Sequence, residues 1–154
     1  MTTAQQANGY RPVILLVEDN AADLRLAQEV LKETQLPHDL LVARDGEEAM
    51  QILRREGKYS DAARPDLVLL DLNLPRKHGS EVLREIKGDT SLKTIPVLIL
   101  STSKAERDVR ACYEAHANCF LTKPVSIDEF GRLAALIRDF WFGVVQLPSR
   151  VPVP

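Results

Sequence analysis

The sequence has few residues that bind soft metals or form disulfides, with two cysteines and three histidines among 154 residues. Cys112 and Cys119 lie in apolar surroundings without the spacing of metal ligands, so we expect buried, reduced thiols in a cytoplasmic protein. No histidine has a spaced partner for metal binding or for a catalytic triad. Zinc sites, disulfide scaffolds and histidine-centred catalysis are therefore not indicated.

Long hydrophobic runs and an excess of positive charge are also missing. No apolar run approaches the length of a membrane span, and the N-terminal MTTAQQANGYR lacks the apolar core of a signal peptide. The net charge of -2 provides no basic surface for nucleic acid. We therefore expect a cytoplasmic protein that binds neither membrane nor nucleic acid. Its 154 residues suffice for one domain, predicted at 12–142, with a disordered lead at 1–11 and an extension at 143–154.

Five short apolar segments alternate with segments of helical spacing. Val13–Val17 and residues 67–70 are apolar at every position, which is typical of strands buried on both faces of a parallel sheet. The other predicted strands are 40–43, 95–100 and 119–121. This alternation predicts an α/β fold with a doubly wound, five-stranded parallel sheet, helices on both faces and right-handed crossovers.

Polar side chains stand at the carboxyl ends of four predicted strands. They are Glu18 and Asp19, then Asp71, Ser101 and Lys123. Because these strand ends share one edge of a parallel sheet, we expect the side chains to meet in one cleft. Two carboxylates about 4 Å apart repel by roughly 1 kcal/mol in water and about 4 kcal/mol near a protein surface. One lysine does not offset the repulsion among three carboxylates. A divalent cation is expected, and a ligand set of oxygens alone suits Mg²⁺.

The same residues match the requirements of phosphoryl transfer. A carboxylate is a competent nucleophile toward phosphorus, and the reaction needs positioning and positive charge near the phosphoryl oxygens. Asp71 would attack, and Glu18 and Asp19 would hold the metal directly or through water. Lys123 would neutralise one phosphoryl oxygen and Ser101 would donate a hydrogen bond to another.

These positions resemble the signature of the response regulator receiver domain, over about residues 12–142. The resemblance implies the flavodoxin-like (CheY-like) fold with strand order 2-1-3-4-5. It rests on the following residues: Glu18, Asp19, Asp71, Pro75, Gly79, Ser101, Lys123 and Pro124.

The resemblance also implies roles for individual residues. Asp71 accepts a phosphoryl group from a phosphohistidine on a sensor histidine kinase. Asp19 and Asp71 are direct Mg²⁺ ligands together with the backbone carbonyl of Asn73, and Glu18 acts through metal-bound water. We therefore expect a phosphoacceptor with self-catalysed transfer and slow autodephosphorylation, and not an enzyme that turns over substrate.

A conformational switch is implied as well. Ser101 moves toward the phosphoryl group and Phe120 turns inward, so that the new charge biases a two-state element. From the residues alone, an aromatic side chain on a short apolar strand is more often part of the core.

Receivers usually have a cis peptide at the position between Lys123 and Pro124, and we expect one here.

The last predicted helix carries an apolar stripe with spacings of three and four residues. The stripe is either core or an interface, and exposed aromatic patches usually mark interfaces. Its ending, DFWFGVVQLP, resembles single-domain regulators that serve phytochromes, and we expect no output domain. This resemblance implies a bacterial phytochrome histidine kinase as the donor and a homodimer. The predicted interface residues are Phe130, Ile137, Phe140, Trp141 and Val144.

Three other classes are compatible with parts of the pattern. An aspartate-nucleophile phosphatase usually has a second aspartate two residues after the nucleophile, where this chain has Asn73. A flavin-binding flavodoxin-like protein needs a phosphate loop after the first strand, where Glu18 and Asp19 would repel a phosphate. A scaffold that no longer accepts phosphate remains the third alternative.

Overall fold

A five-stranded parallel sheet forms the centre of the fold, and the computed structural model describes residues 11–148. The order β2-β1-β3-β4-β5 confirms the predicted flavodoxin-like topology, and the four strands other than β1 differ from their predicted bounds by one or two residues. The strands are β1 (Val13–Val17), β2 (Asp39–Ala43), β3 (Leu67–Asp71), β4 (Val97–Ser101) and β5 (Cys119–Thr122). The predicted lead at 1–11 lies outside the described residues apart from Arg11, and so do residues 149–154.

Helices cover both faces of the sheet. β1, β3 and β4 are buried at all five positions, as expected of strands between two helical layers. One core packs against α2, α3 and α4, and a second packs against α1 and α5. The helices are α1 (Ala21–Glu33), α2 (Gly46–Arg54), α3 (Gly79–Gly88), α4 (Glu106–Glu114) and α5 (Ile127–Leu136), with a 3₁₀ turn at Gly57–Tyr59. No helix within residues 11–148 has the length and hydropathy needed to cross a bilayer.

Side-chain caps fix where the helices begin after the strands. Asn20 accepts a hydrogen bond from the N–H of Asp23 at the start of α1, at 3.0 Å. Asp45 caps α2 in the same way through the N–H of Glu48, and Ser126 caps α5. The Glu48 carboxylate accepts a hydrogen bond from the N–H of Arg44, the residue before the cap, at 2.9 Å, which is a shifted form of the capping box.

The loop between β3 and α3 lies close against its neighbours. A Cβ atom added at Gly46 would lie well inside van der Waals contact of the Lys77 carbonyl oxygen. A Cβ atom at Gly79 would overlap the Asp71 carbonyl oxygen in the same way. Glycine at these two positions therefore lets the loop that follows Asp71 pack against the start of α2.

Gly46→Ala is expected to destabilise the fold. The added methyl group must displace backbone atoms of the loop, which costs about 1–3 kcal/mol of unfolding free energy. The matched control is Gly131→Ala within α5, where no atom lies within 4 Å of an added Cβ. That control should gain about 0.5–1 kcal/mol, because alanine favours the helix. Urea denaturation followed by circular dichroism measures both changes, and a shift of the same sign in both variants would contradict this account.

The last helix changes from α to π geometry at Ile137, and the π-helical segment spans Ile137–Val144. A π-helix has hydrogen bonds from residue i to i+5, so each turn contains more residues than in an α-helix. Side chains spaced by four residues still lie close together, but those spaced by three, such as Ile137 and Phe140, no longer share a face. Phe130 and Ile137 are buried in the core beside α1, at 5% and 1% exposure, whereas Phe140 and Val144 are exposed at 45% and 77%. The predicted stripe is therefore divided between core and surface.

Two further features concern the C-terminal part of the chain. Leu147, within the predicted extension at 143–154, is fully buried in the core beside α1. No peptide bond within residues 11–148 is cis, so the expectation for the bond between Lys123 and Pro124 was wrong. The trans form is the intrinsically preferred one, by about 0.5–1 kcal/mol for a bond preceding proline.

Candidate functional site

Three carboxylates meet at the edge where the strands end. Oxygen atoms of Glu18, Asp19 and Asp71 lie within 4.8 Å of one another. Glu18 and Asp71 are each only 3% exposed, whereas Asp19 is exposed. The parallel strands β1 and β3 are neighbours, and this adjacency brings the three side chains together.

Lys123 joins this cluster from the end of β5. Its Nζ lies 2.9 Å from Glu18, 3.2 Å from Asp71 Oδ2 and 3.1 Å from Asp23 Oδ2. An ammonium group has three donors, so each can serve one carboxylate. Burial disfavours the charged form, but the hydrogen bond to Glu18 and the charge of Asp71 outweigh this effect and raise the pKa of Lys123. The lysine is therefore a fixed positive charge inside the cluster.

Glu18 is held in an unfavourable place for a carboxylate. Burial raises its pKa above the ordinary value, and the hydrogen bond from Lys123 offsets only part of that effect. The nearby charge of Asp71 raises the pKa further, while the Asn20 N–H donates to Oε1 at 3.0 Å. Three carboxylates meet one ammonium group here, so the cluster carries more negative charge than Lys123 balances.

Both oxygens of Asp71 have defined partners. Oδ1 accepts a hydrogen bond from the Asn73 N–H at 3.2 Å, and Oδ2 faces Lys123. Leu72 and Leu74 are buried on either side of Asn73, which is exposed. This alternation anchors the loop in the core and leaves Asn73 at the mouth of the site.

The two predicted switch residues lie on the neighbouring strands β4 and β5. Ser101 is fully buried at the end of β4, one residue beyond the partner of Asp71 in the sheet register. Its Oγ accepts a hydrogen bond from the Ser103 N–H at 3.0 Å. Phe120 is partly buried against the core formed with α2–α4, and its N–H donates to the Tyr113 hydroxyl at 3.1 Å.

Sequence reasoning missed two residues at this edge. Asp23 is the third residue of α1, and its carboxylate reaches Lys123. The sequence does contain a feature that points to Asp23. It is an acidic residue in the first turn of the helix that directly follows Glu18 and Asp19. His78 caps α3, because its Nδ1 accepts a hydrogen bond from the Ser80 N–H at 3.1 Å. Neither residue stands at a strand end, where the sequence pattern places the functional side chains.

This fold and this acidic edge define a known class of signalling module. The family described as the response regulator receiver domain matches residues 14–135, so the chain belongs to the response regulator receiver family. It is 51% identical to the response regulator Rcp1 of Synechocystis sp., over 89% of this chain and 93% of the relative.

Two solved structures are similar over nearly their whole length. The Mn²⁺-bound form of Rcp1 matches with a TM-score of 0.82 at 51% identity, over 89% of this chain and 99% of that chain. The phosphorylated cyanobacterial phytochrome response regulator RcpA matches with a TM-score of 0.85 at 50% identity, over 90% of this chain and 99% of that chain.

The residues at the acidic edge fit a hard divalent cation. The three converging carboxylates provide oxygen ligands alone, which is the donor set that such cations prefer. Lys123 does not balance the negative charge of these carboxylates, and this excess of negative charge also favours binding of a cation. Soft metals have no support in this donor set, since no sulfur or imidazole is part of the cluster.

Proposed function

We propose that Asp71 accepts a phosphoryl group from a phosphohistidine of a sensor histidine kinase. The observation that carries this proposal is the position of the Asp71 carboxylate, which lies next to the Lys123 ammonium and two further acidic side chains. An oxygen of Asp71 forms the new bond to phosphorus while the bond from phosphorus to the imidazole nitrogen breaks. The imidazole keeps the electron pair, and the product on Asp71 is an acyl phosphate.

The surrounding residues take separate parts in this transfer. Asp19, Asp71 and the Asn73 carbonyl would hold Mg²⁺, with Glu18 acting through water. When bound, the ion supplies positive charge near the phosphoryl oxygens. Lys123 neutralises another phosphoryl oxygen.

The switch begins from the resting contacts of Ser101 and Phe120. Ser101 leaves its hydrogen bond with the Ser103 N–H to donate to the phosphoryl group, and Phe120 turns inward from its partly buried position. The new charge thereby biases the loop between β4 and α4. This movement would present a different surface to a downstream partner.

Phosphoryl labelling tests the proposal. Incubation with acetyl phosphate and Mg²⁺ is expected to add one phosphoryl mass to the intact protein, and a chelator is expected to prevent the gain. Steady turnover of a chromogenic phosphate ester would instead support an aspartate-nucleophile phosphatase. Absence of any mass gain under saturating donor would support a scaffold.

The donor kinase is proposed to belong to a bacterial phytochrome, in the cytoplasm. This proposal rests on the 50% identity with RcpA, which is described as a phytochrome response regulator, and on the similar identity with Rcp1. Transfer from a phosphorylated phytochrome kinase should be faster than transfer from an unrelated histidine kinase under the same conditions.

We further propose a homodimer formed through the C-terminal apolar patch, which consists of Leu136, Phe140, Trp141 and Val144. Phe140 and Trp141 form an edge-to-face pair with ring centroids 5.7 Å apart. Leu136, Phe140 and Val144 are 41%, 45% and 77% exposed. Large apolar side chains grouped on a surface usually mark an interface. The buried Phe130 and Ile137 would support this patch from beneath.

Phe140→Glu is expected to convert the dimer to a monomer. A buried glutamate without a partner at the centre of the interface costs several kcal/mol, which is enough to abolish association at micromolar concentration. The matched control is Val125→Glu, because Val125 is 79% exposed before the start of α5 and lies outside the patch. Sedimentation velocity should show a monomer for Phe140→Glu and a dimer for the wild type and the control. A wild-type monomer at high concentration would refute the proposed interface.

A further inference from the structure

Asp23 places a fourth carboxylate at the acidic edge. Its Oδ2 lies 3.1 Å from Lys123 Nζ, and its side chain is 34% exposed. The residue comes from α1, whereas Glu18 directly follows β1 and Asp71 is the last residue of β3. Asn20 fixes its position, because the Asn20 side chain accepts a hydrogen bond from the Asp23 N–H at 3.0 Å.

All three donors of Lys123 can be engaged in this arrangement. The acceptors are Glu18, Asp71 and Asp23, each within 3.2 Å of Nζ. To reach a phosphoryl oxygen, the ammonium must redirect one of these donors. Glu18 is almost fully buried and has no solvent to replace its bond, whereas water can reach the partly exposed Asp23. The ion pair with Asp23 is therefore the contact that breaks at the smallest cost.

Asp23 also changes the charge that an incoming phosphodonor meets. Four carboxylates face one ammonium group here, so a bound divalent cation still leaves one net negative charge. Without Asp23, the same set would be neutral. A phosphodonor is itself anionic, and at such short range the extra charge opposes its approach.

We propose that Asp23 is a positioning residue that holds Lys123 in its resting orientation and slows phosphorylation of Asp71. The inference rests on the proposed function, in which Asp71 is the phosphoacceptor. Asp23 thereby sets how readily the regulator is phosphorylated, and Lys123 is released from it as the phosphoryl group arrives.

A purely structural role makes a different prediction. An acidic residue in the first turn of a helix interacts favourably with the positive end of the helix dipole. In that case, replacing Asp23 would lower thermal stability and leave the labelling rate unchanged. The two roles are therefore separated by a rate measurement together with a melting curve.

The test compares Asp23→Asn, Asp23→Glu and wild type with acetyl phosphate as the probe, at saturating Mg²⁺. Asp71 forms the bond to phosphorus and acetate leaves with the electron pair, so the mass gain reports the apparent second-order rate constant. Saturation with Mg²⁺ removes any difference in metal affinity, which calorimetry measures separately. Asp23→Asn should react roughly three- to tenfold faster, the size expected for one partly exposed charge.

Asp23→Glu keeps the charge and should react within about twofold of the wild type. An unchanged or slower labelling rate for Asp23→Asn would overturn the inference. It would also be overturned if the labelling rate of Asp23→Glu rose as much as that of Asp23→Asn. Asp71→Asn is included as a reference in the same series. If that variant is still labelled, the proposed phosphoacceptor is wrong, which is distinguishable from a failure of Asp23 alone.

Discussion

Asp71→Asn should lose phosphoryl labelling altogether under conditions that label the wild-type protein completely. An amide oxygen is a poor nucleophile toward phosphorus, so the acyl phosphate does not form. Asparagine has nearly the same shape, and its oxygen can still accept the hydrogen bond that the Asn73 N–H donates to Oδ1. Intact mass after incubation with acetyl phosphate and Mg²⁺ should therefore show the unmodified mass only.

The fold of this variant serves as the control. Asp71 is 3% exposed and close to Glu18, so removing its charge relieves repulsion at the acidic edge. We expect thermal stability without metal to be equal to or higher than that of the wild type. A full mass gain in a folded Asp71→Asn protein would move the phosphoacceptor to another side chain, and Asp19 would be the first to examine.

The sheet and much of the site were predictable because they depend on simple periodic patterns. Strands buried on both faces are apolar at every position, and Val13–Val17 shows this pattern directly. Once the strands are parallel, their carboxyl ends share one edge, so Asp71 and Lys123 meet although 52 residues separate them. No knowledge of individual contacts was needed for this step.

The contribution of the helices to the site was not predictable in the same way. Whether Asp23 reaches Lys123 depends on how α1 packs against the sheet and on its first turn, where Asn20 accepts a hydrogen bond from the Asp23 N–H. The change to π geometry at Ile137 has no periodic signal either, because the apolar spacing of three and four residues continues unchanged through it. Spacing therefore grouped Ile137 with Phe140, although one is core and the other is surface.

Lys123→Met is the second change for which we expect a large effect. Lys123 forms ion pairs with Glu18, Asp23 and Asp71. Methionine retains much of the apolar stem and removes the charge that would face a phosphoryl oxygen. Loss of one preorganised donor at a developing negative charge typically costs about 10²–10³ in rate, so labelling by acetyl phosphate should slow by roughly that factor.

The same variant should also lose stability when no metal is present. Removing one partner from a buried ion pair leaves an uncompensated charge, at a cost of about 3 kcal/mol or more. Mg²⁺ should restore most of this loss, because the carboxylates then gain another counterion. Urea denaturation with and without Mg²⁺ measures both effects.

Lys77→Met is the matched control for this experiment. Lys77 pairs with Glu85 at 2.6 Å and is 25% exposed, but it lies outside the group of side chains around Asp71. A partly exposed pair of this kind contributes about 0.2–1 kcal/mol, and its loss should leave the labelling rate near that of the wild type. If Lys123→Met and Lys77→Met were labelled equally fast, the ammonium beside Asp71 would have no part in phosphoryl transfer. Lys123 would then be a counterion that keeps the acidic side chains together, and the charge that assists the transfer would have to come from the metal alone.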